Sequence, residues 1–141
     1  MDNIPAVGSS RRRVIQGVAW FDLAVTLPFA LPFVAEFLLA FIYRIDAQLG
    51  FFTPPGAFGP LQMMFVHIMG VLGVIWALAR VREPSETLAR IDGLGRVMVA
   101  ALILHAINGG ATPVLAIFMV TELAGSVAQL LGSRRVIAAR R

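Results

Sequence analysis

Long apolar runs separated by short polar segments dominate this chain. Four runs stand out, at residues 14–35, 61–79, 93–107 and 112–131. The first is about 33 Å long as an α-helix, which is enough to cross a hydrocarbon core of about 30 Å. The third is the shortest of the four. The pattern predicts four transmembrane helices.

We therefore expect an all-α membrane protein, a four-transmembrane-helix bundle with an interfacial segment after the first helix. Residues 37–52 form this segment, because polar side chains interrupt its apolar ones and its aromatic residues suit the membrane interface. The first helix either projects beyond the membrane or bends at Glu36. The expected organisation is a cytoplasmic N-terminal tail (1–13), the transmembrane domain (14–132) and a cytoplasmic basic tail (133–141).

Composition supports this interpretation. Hydrophobic residues make up 58% of the 141 residues and charged residues 14%, against roughly 45–50% and about 25% in soluble domains. A chain this short has too little interior to bury so much apolar surface, so we expect the lipid bilayer to cover it. The absence of cysteine excludes disulfides and thiolate metal sites.

The positive charges lie at the ends of the apolar runs. The formal net charge is +4, and all 12 basic residues are arginine, a usage that fits a GC-rich bacterial genome. Because the arginines flank apolar runs, they indicate membrane orientation and not nucleic-acid binding. By the positive-inside rule both termini are cytoplasmic, in the inner membrane. Ten of the twelve define that side: Arg11, Arg12, Arg13, Arg80, Arg82, Arg90, Arg134, Arg135, Arg140 and Arg141.

Three charged residues lie at a similar depth in the cytoplasmic half of the predicted bundle. They are Asp22 in the first helix, Arg96 in the third and Glu122 in the fourth. A charged group in a bilayer usually faces protein or water, and a guanidinium can hold a carboxylate with two hydrogen bonds. We expect Arg96 to pair with Asp22, Glu122 or both, either as a packing clamp or as part of a site.

A second polar set lies in the outer half. It comprises Glu36, His67 and His105. Two histidines on neighbouring helices are candidate ligands for a b-type haem or, more weakly, for a metal. The alternatives are hydrogen bonding across the bundle and proton handling.

Proline and small residues refine the helix packing. Pro28 and Pro32 are expected within the first span, where they leave two carbonyl groups without helical donors and kink the helix, with or without opening a cavity. Gly70, Ala77 and Gly125 lie on the stripes that carry polar residues, and small residues allow helix backbones to approach closely.

No nucleotide-binding loop, nucleophile elbow or metalloprotease helix is present, so the sequence does not indicate an enzyme. The leading hypothesis is a small polytopic membrane protein, active in transport, that binds or passes a small ligand or a proton through a polar-lined interior. The alternatives are an anchor subunit that binds haem b or quinone through His67 and His105, a structural accessory subunit of a membrane complex, and a membrane enzyme acting on lipids. A homodimer or larger assembly is expected. The residues assigned to the path are Asp22, Glu36, His67, Arg96, His105 and Glu122.

Overall fold

The chain is all-helical in the part that the computed structural model describes, residues 8–56 and 58–138, with side chains described as far as residue 131. Of the predicted basic tail, only the backbone of residues 133–138 is described, and most of the N-terminal tail lies outside the described residues. The helices are α1 (Ser9–Ala30), α2 (Val34–Gln48), α3 (Pro60–Arg82), α4 (Glu86–Asn108) and α5 (Ala116–Ala138), and a 3₁₀ turn (Pro113–Leu115) precedes α5.

The first predicted helix is broken between α1 and α2, whose axes differ by 103°. Pro32 cannot donate a helical hydrogen bond, and Phe33 adopts a left-handed backbone conformation with φ of +67°. Of the two alternatives for the first helix, a projection beyond the membrane or a bend at Glu36, the structure has a bend, but it precedes Glu36, which lies within α2. Pro28 alone lies inside α1, and its carbonyl accepts a hydrogen bond of 3.3 Å from the Leu31 N–H.

Within the described part of the chain, two helical segments are long and apolar enough to cross a membrane, Pro60–Arg82 and Pro113–Leu131. A third is added if α1 and α2 count as one bent span. The expected count of four spans is therefore matched only in part. The helix expected as the third span, α4, is longer than the apolar run at 93–107 because it begins at Glu86 and includes Asp92.

Among the described side chains, the pattern of burial is the reverse of that in a soluble protein. Large apolar residues face outward, including Phe37, Met69 and Met98, which are 72%, 65% and 69% exposed. The largest fully buried side chains include Arg80 and Gln129. Buried ionic groups surrounded by an apolar exterior are what a lipid environment requires, so the helices are suited to membrane insertion.

The helices pack chiefly as two pairs, α1 with α3 and α4 with α5. In the first pair, a Cβ at Gly70 would collide with the backbone of Phe29 and Ala30, so only glycine allows this approach. Ala77 is also fully buried. The predicted close packing through small residues of α3 is confirmed.

Replacement of Gly70 by alanine tests this contact. We expect Gly70→Ala to destabilise the protein by about 1–3 kcal/mol, because the added methyl group must push two backbones apart. The measurement is the thermal unfolding midpoint of the detergent-purified protein, followed by circular dichroism. Gly95→Ala is the matched control, since no atom lies within 4 Å of its added Cβ. Equal midpoints in the two variants would contradict the packing argument.

Candidate functional site

Five charged side chains from four helices meet in the half of the molecule where α3 ends and α4 begins. We call them the inner charge cluster: Asp22 of α1, Arg80 of α3, Asp92 and Arg96 of α4, and Glu122 of α5. Three were predicted from the sequence as one set.

Arg96 is at the centre of the cluster. Its Nε donates to Asp92 Oδ2 at 2.8 Å, its Nη1 donates to Glu122 Oε2 at 3.1 Å, and its Nη2 donates to Asp22. The expected pairing of Arg96 with both acids is confirmed. One guanidinium therefore connects α4 to α1 and α5, which is possible because its donors point in different directions.

Arg80 is the second cation, and its place after the second apolar run predicts that it lies in a cytoplasmic loop. That prediction is wrong, since Arg80 lies in the last turn of α3 and is only 1% exposed. Its Nη1 lies 2.7 Å from Asp92 Oδ2, and its Nη2 donates to Asp22. Its guanidinium carbon also lies 5.7 Å from the centroid of the Trp76 ring, within the range of a cation–π contact.

Asp92 was missed as well, because it precedes the apolar run that defined the third predicted span. It forms an ion pair with Arg80 and accepts from Arg96 Nε, and its Oδ1 accepts from Trp76 Nε1 at 2.9 Å. The helical spacing of these residues could have identified Arg80 and Asp92 from the sequence. Trp76 and Arg80 are four residues apart, and so are Asp92 and Arg96, a separation that places both members on one helix face.

The packing of α4 on α5 fits around these groups. A Cβ at Gly125 would lie 2.6 Å from Arg96 Nη1, so the glycine makes room for the guanidinium. Ser126 Oγ donates to the Gly93 carbonyl at 2.7 Å, and Gln129 Nε2 donates to Asp92 Oδ2 at 3.3 Å. The predicted packing role of Gly125 is thus specific: it accommodates a charged side chain.

The cluster holds more negative than positive groups. Three carboxylates share two guanidiniums, so with every group ionised its formal charge is −1. Asp22 and Asp92 each contact both arginines, whereas Glu122 contacts Arg96 alone. The Glu122 side chain is 25% exposed, the largest fraction in the cluster. Glu122 is therefore the carboxylate that the cluster holds least tightly.

A separate contact on the same side involves Arg11, which the sequence analysis treated only as an orientation signal. Its Nε donates to Glu86 Oε1 at 2.9 Å, and its Nη1 donates to the Ala128 carbonyl at 2.9 Å. Gln16 of α1 donates to the Val81 carbonyl at 2.9 Å. These contacts join the start of α1 to α3, α4 and α5.

The outer polar set is only partly assembled. His67 Nδ1 lies 3.0 Å from the Phe29 carbonyl oxygen, and His67 Nε2 lies 3.7 Å from Glu36 Oε1. The break at Phe33 removes the helical donor for the Phe29 carbonyl, and His67 takes its place. His105 is exposed on α4 and makes no side-chain hydrogen bond or ion pair with the described residues.

These positions do not fit haem ligation by the two histidines. His67 Nε2 faces a carboxylate oxygen 3.7 Å away, where an axial ligand would need to face iron, and His105 lies exposed on another helix. Metal binding finds no support either, since the described residues include no group of three or more His, Asp or Glu side chains that could hold a metal.

A third polar contact fixes the outer loops. Asp46, only 1% exposed, accepts from the Thr53 N–H at 2.7 Å, from Thr53 Oγ1 at 2.8 Å and from Thr112 Oγ1. It thereby ties the end of α2 to the following loop and to the α4–α5 connection. In the sequence, Asp46 is only one of the polar residues that interrupt the apolar segment 37–52.

Comparison with known proteins gives no further guide, because no family model, curated protein or solved structure matches this chain.

The inner charge cluster predicts a large penalty for loss of Arg96. We expect Arg96→Met to destabilise the protein by about 3–5 kcal/mol, because it leaves buried carboxylates without their shared cation. The measurement is the thermal unfolding midpoint in detergent. Arg90→Met is the control, since Arg90 lies on the same helix and is exposed. A midpoint for Arg96→Met no lower than that of the control would show that the cluster contributes nothing to stability.

The Asp46 contact predicts a local effect. In Asp46→Asn an amide donor can face the Thr53 N–H, so we expect the loop after α2 to open at least about tenfold more often, which corresponds to about 1.4 kcal/mol. Hydrogen–deuterium exchange of peptides covering residues 49–59 measures the opening. Gln48→Ala, at an exposed neighbouring position, should leave the exchange rate unchanged. Unaltered exchange in Asp46→Asn would exclude this role.

Proposed function

We propose that this chain is a four-span protein of the cytoplasmic membrane that binds and releases a proton at Glu122. In this arrangement α1, α3, α4 and α5 cross the bilayer, α2 lies in the outer interface, and both termini are cytoplasmic. The outward-facing apolar side chains and the arginines that flank the apolar runs support it. The charges of α4 are compatible with a span because their partners are protein groups.

The observation that carries the proposal is the charge imbalance of the inner charge cluster. Two guanidiniums neutralise Asp22 and Asp92, and Glu122 remains as a third carboxylate. An uncompensated charge is costly in a low-dielectric interior. Protonation of Glu122 would leave the cluster formally neutral, and ionisation would restore the negative charge. The site can thus alternate between two charge states.

The geometry of the cluster would limit the structural change that accompanies proton exchange. Glu122 contacts the cluster through one bond of 3.1 Å to Arg96. Arg96 also holds Asp22 and Asp92, and Arg80 holds the same two carboxylates. Proton exchange would therefore weaken or restore a single ion pair and leave the four others in place. This is suited to a proton site in a transport protein.

A second candidate function is structural, with the cluster acting as a clamp in an accessory subunit. It is favoured by the burial of Arg80 and by the contacts of Asp22 and Asp92 with both arginines. Buried ion pairs of this kind can specify one arrangement of helices. In this view Glu122 is ionised at all times and contributes to the clamp.

Infrared spectroscopy of Glu122→Gln separates the two functions. Proton binding predicts that acid-minus-alkaline difference spectra of the protein in lipid contain a protonated carboxyl band that Glu122→Gln removes. Glutamine mimics a protonated carboxyl group, so the thermal midpoint should also stay within about 2 °C of the wild type, equivalent to well under 1 kcal/mol.

Glu83→Gln is the control because Glu83 is exposed at the end of α3. It should retain the carboxyl band. The clamp predicts the opposite combination, a spectrum unchanged by Glu122→Gln and a thermal midpoint several degrees lower. That pair of results would refute the proton site.

A further inference from the structure

A cavity of about 370 Å³ opens at the outer end of the molecule, at the opposite end of α3 from the inner charge cluster. Its walls come from α2, the loop before α3 and the first turn of α3. They include Glu36, Leu39, Ala40, Tyr43, Phe58 and Met63. The volume lies in the range of small-molecule sites, and we call this cavity the outer pocket.

The lining of the outer pocket has one charged group and an aromatic pair. Glu36 supplies the charge, and its side chain is 46% exposed. Tyr43 and Phe58 lie with their ring centroids 6.4 Å apart at a tilt of 60°. Glu36 and Tyr43 are separated by two turns of α2, about 10 Å along the axis at 1.5 Å per residue. An apolar body of that length could reach from the carboxylate to the rings.

The environment of Glu36 points to a cation with several hydrogen-bond donors. A carbonyl oxygen can only accept, so the 3.0 Å contact with Phe29 places a proton on His67 Nδ1. When its ring is neutral, His67 presents Nε2 as an acceptor 3.7 Å from the Glu36 carboxylate, which is also an acceptor. An ammonium group carries three donors and a positive charge, so it can satisfy both groups at once.

We propose that the outer pocket binds a small amphiphilic amine, with its ammonium group at Glu36, beside His67, and its apolar body against Tyr43 and Phe58. The aromatic rings add an apolar surface that also tolerates a neighbouring cation. The occupant is a freely diffusing small molecule, since a cavity of about 370 Å³ does not hold a whole phospholipid. This inference is independent of the proton site at Glu122.

Calorimetric titration of the full chain in phosphatidylcholine nanodiscs tests the proposal. The probe is 4-phenylbutylammonium, and 4-phenylbutanol is its neutral counterpart of similar length. We expect saturable binding of the ammonium at least tenfold tighter than binding of the alcohol. Glu36→Gln should abolish this preference, and Glu83→Gln, which removes an acidic charge at an exposed position far along α3, should retain it.

A pocket-filling variant checks the location. Ala40 lies one turn from Glu36 and lines the cavity, so Ala40→Trp should prevent saturable binding of both probes while the helical circular dichroism spectrum is retained. Absence of saturable binding to the wild type, or equal ammonium affinity in Glu36→Gln, would overturn the proposal. Displacement of the probe by phosphatidylethanolamine in the nanodisc would also overturn it, because the occupant would then be a lipid headgroup.

Discussion

The guanidinium groups of Arg80 and Arg96 are the constraint on which the helix arrangement depends. A charge removed from water is costly unless close carboxylates and hydrogen bonds compensate it. Their acidic partners come from α1, α4 and α5, so both cations form all their ion pairs only when four helices meet at one level. Apolar packing is less directional, because lipid chains cover an apolar helix face as well as another helix does. The cluster can therefore fix a register that apolar contacts leave open.

Proline and glycine then decide how closely the backbones approach. Pro32 ends α1 and turns the chain by 103°, and the carbonyl freed at Phe29 accepts from His67. One turn further along α3, Gly70 lets that helix rest on the same end of α1. Gly125 performs a different task on α5, where it leaves space for Arg96. Gly70 thus permits close contact with a backbone, and Gly125 permits close contact with a charged side chain.

Helical content and much of the inner charge cluster could be predicted from the sequence, because hydropathy and depth are properties of a single helix. The pairing of Arg96 with Asp22 and Glu122 followed from their similar depth. Arg80 and Asp92 were missed because hydropathy assigns a charged residue at the edge of an apolar run to a loop. The environment of His67 depends on the exact break at Phe33, and the separation of His67 from His105 depends on which helices pair. Neither is a property of one helix, so sequence periodicity could not supply them.

The carboxylates of the cluster differ in their number of contacts. In the proposed function, this difference lets one set of charges hold the helices together and still change its total charge. Asp22 and Asp92 each contact both arginines, so protonation of either would disturb two ion pairs and the connections between helices. Glu122 makes one contact, and its side chain is the most exposed of the five. In the proposed function its proton would therefore exchange at lower energetic cost than a proton on either aspartate. A stable network with one weakly held carboxylate is the combination that a proton site within a membrane needs.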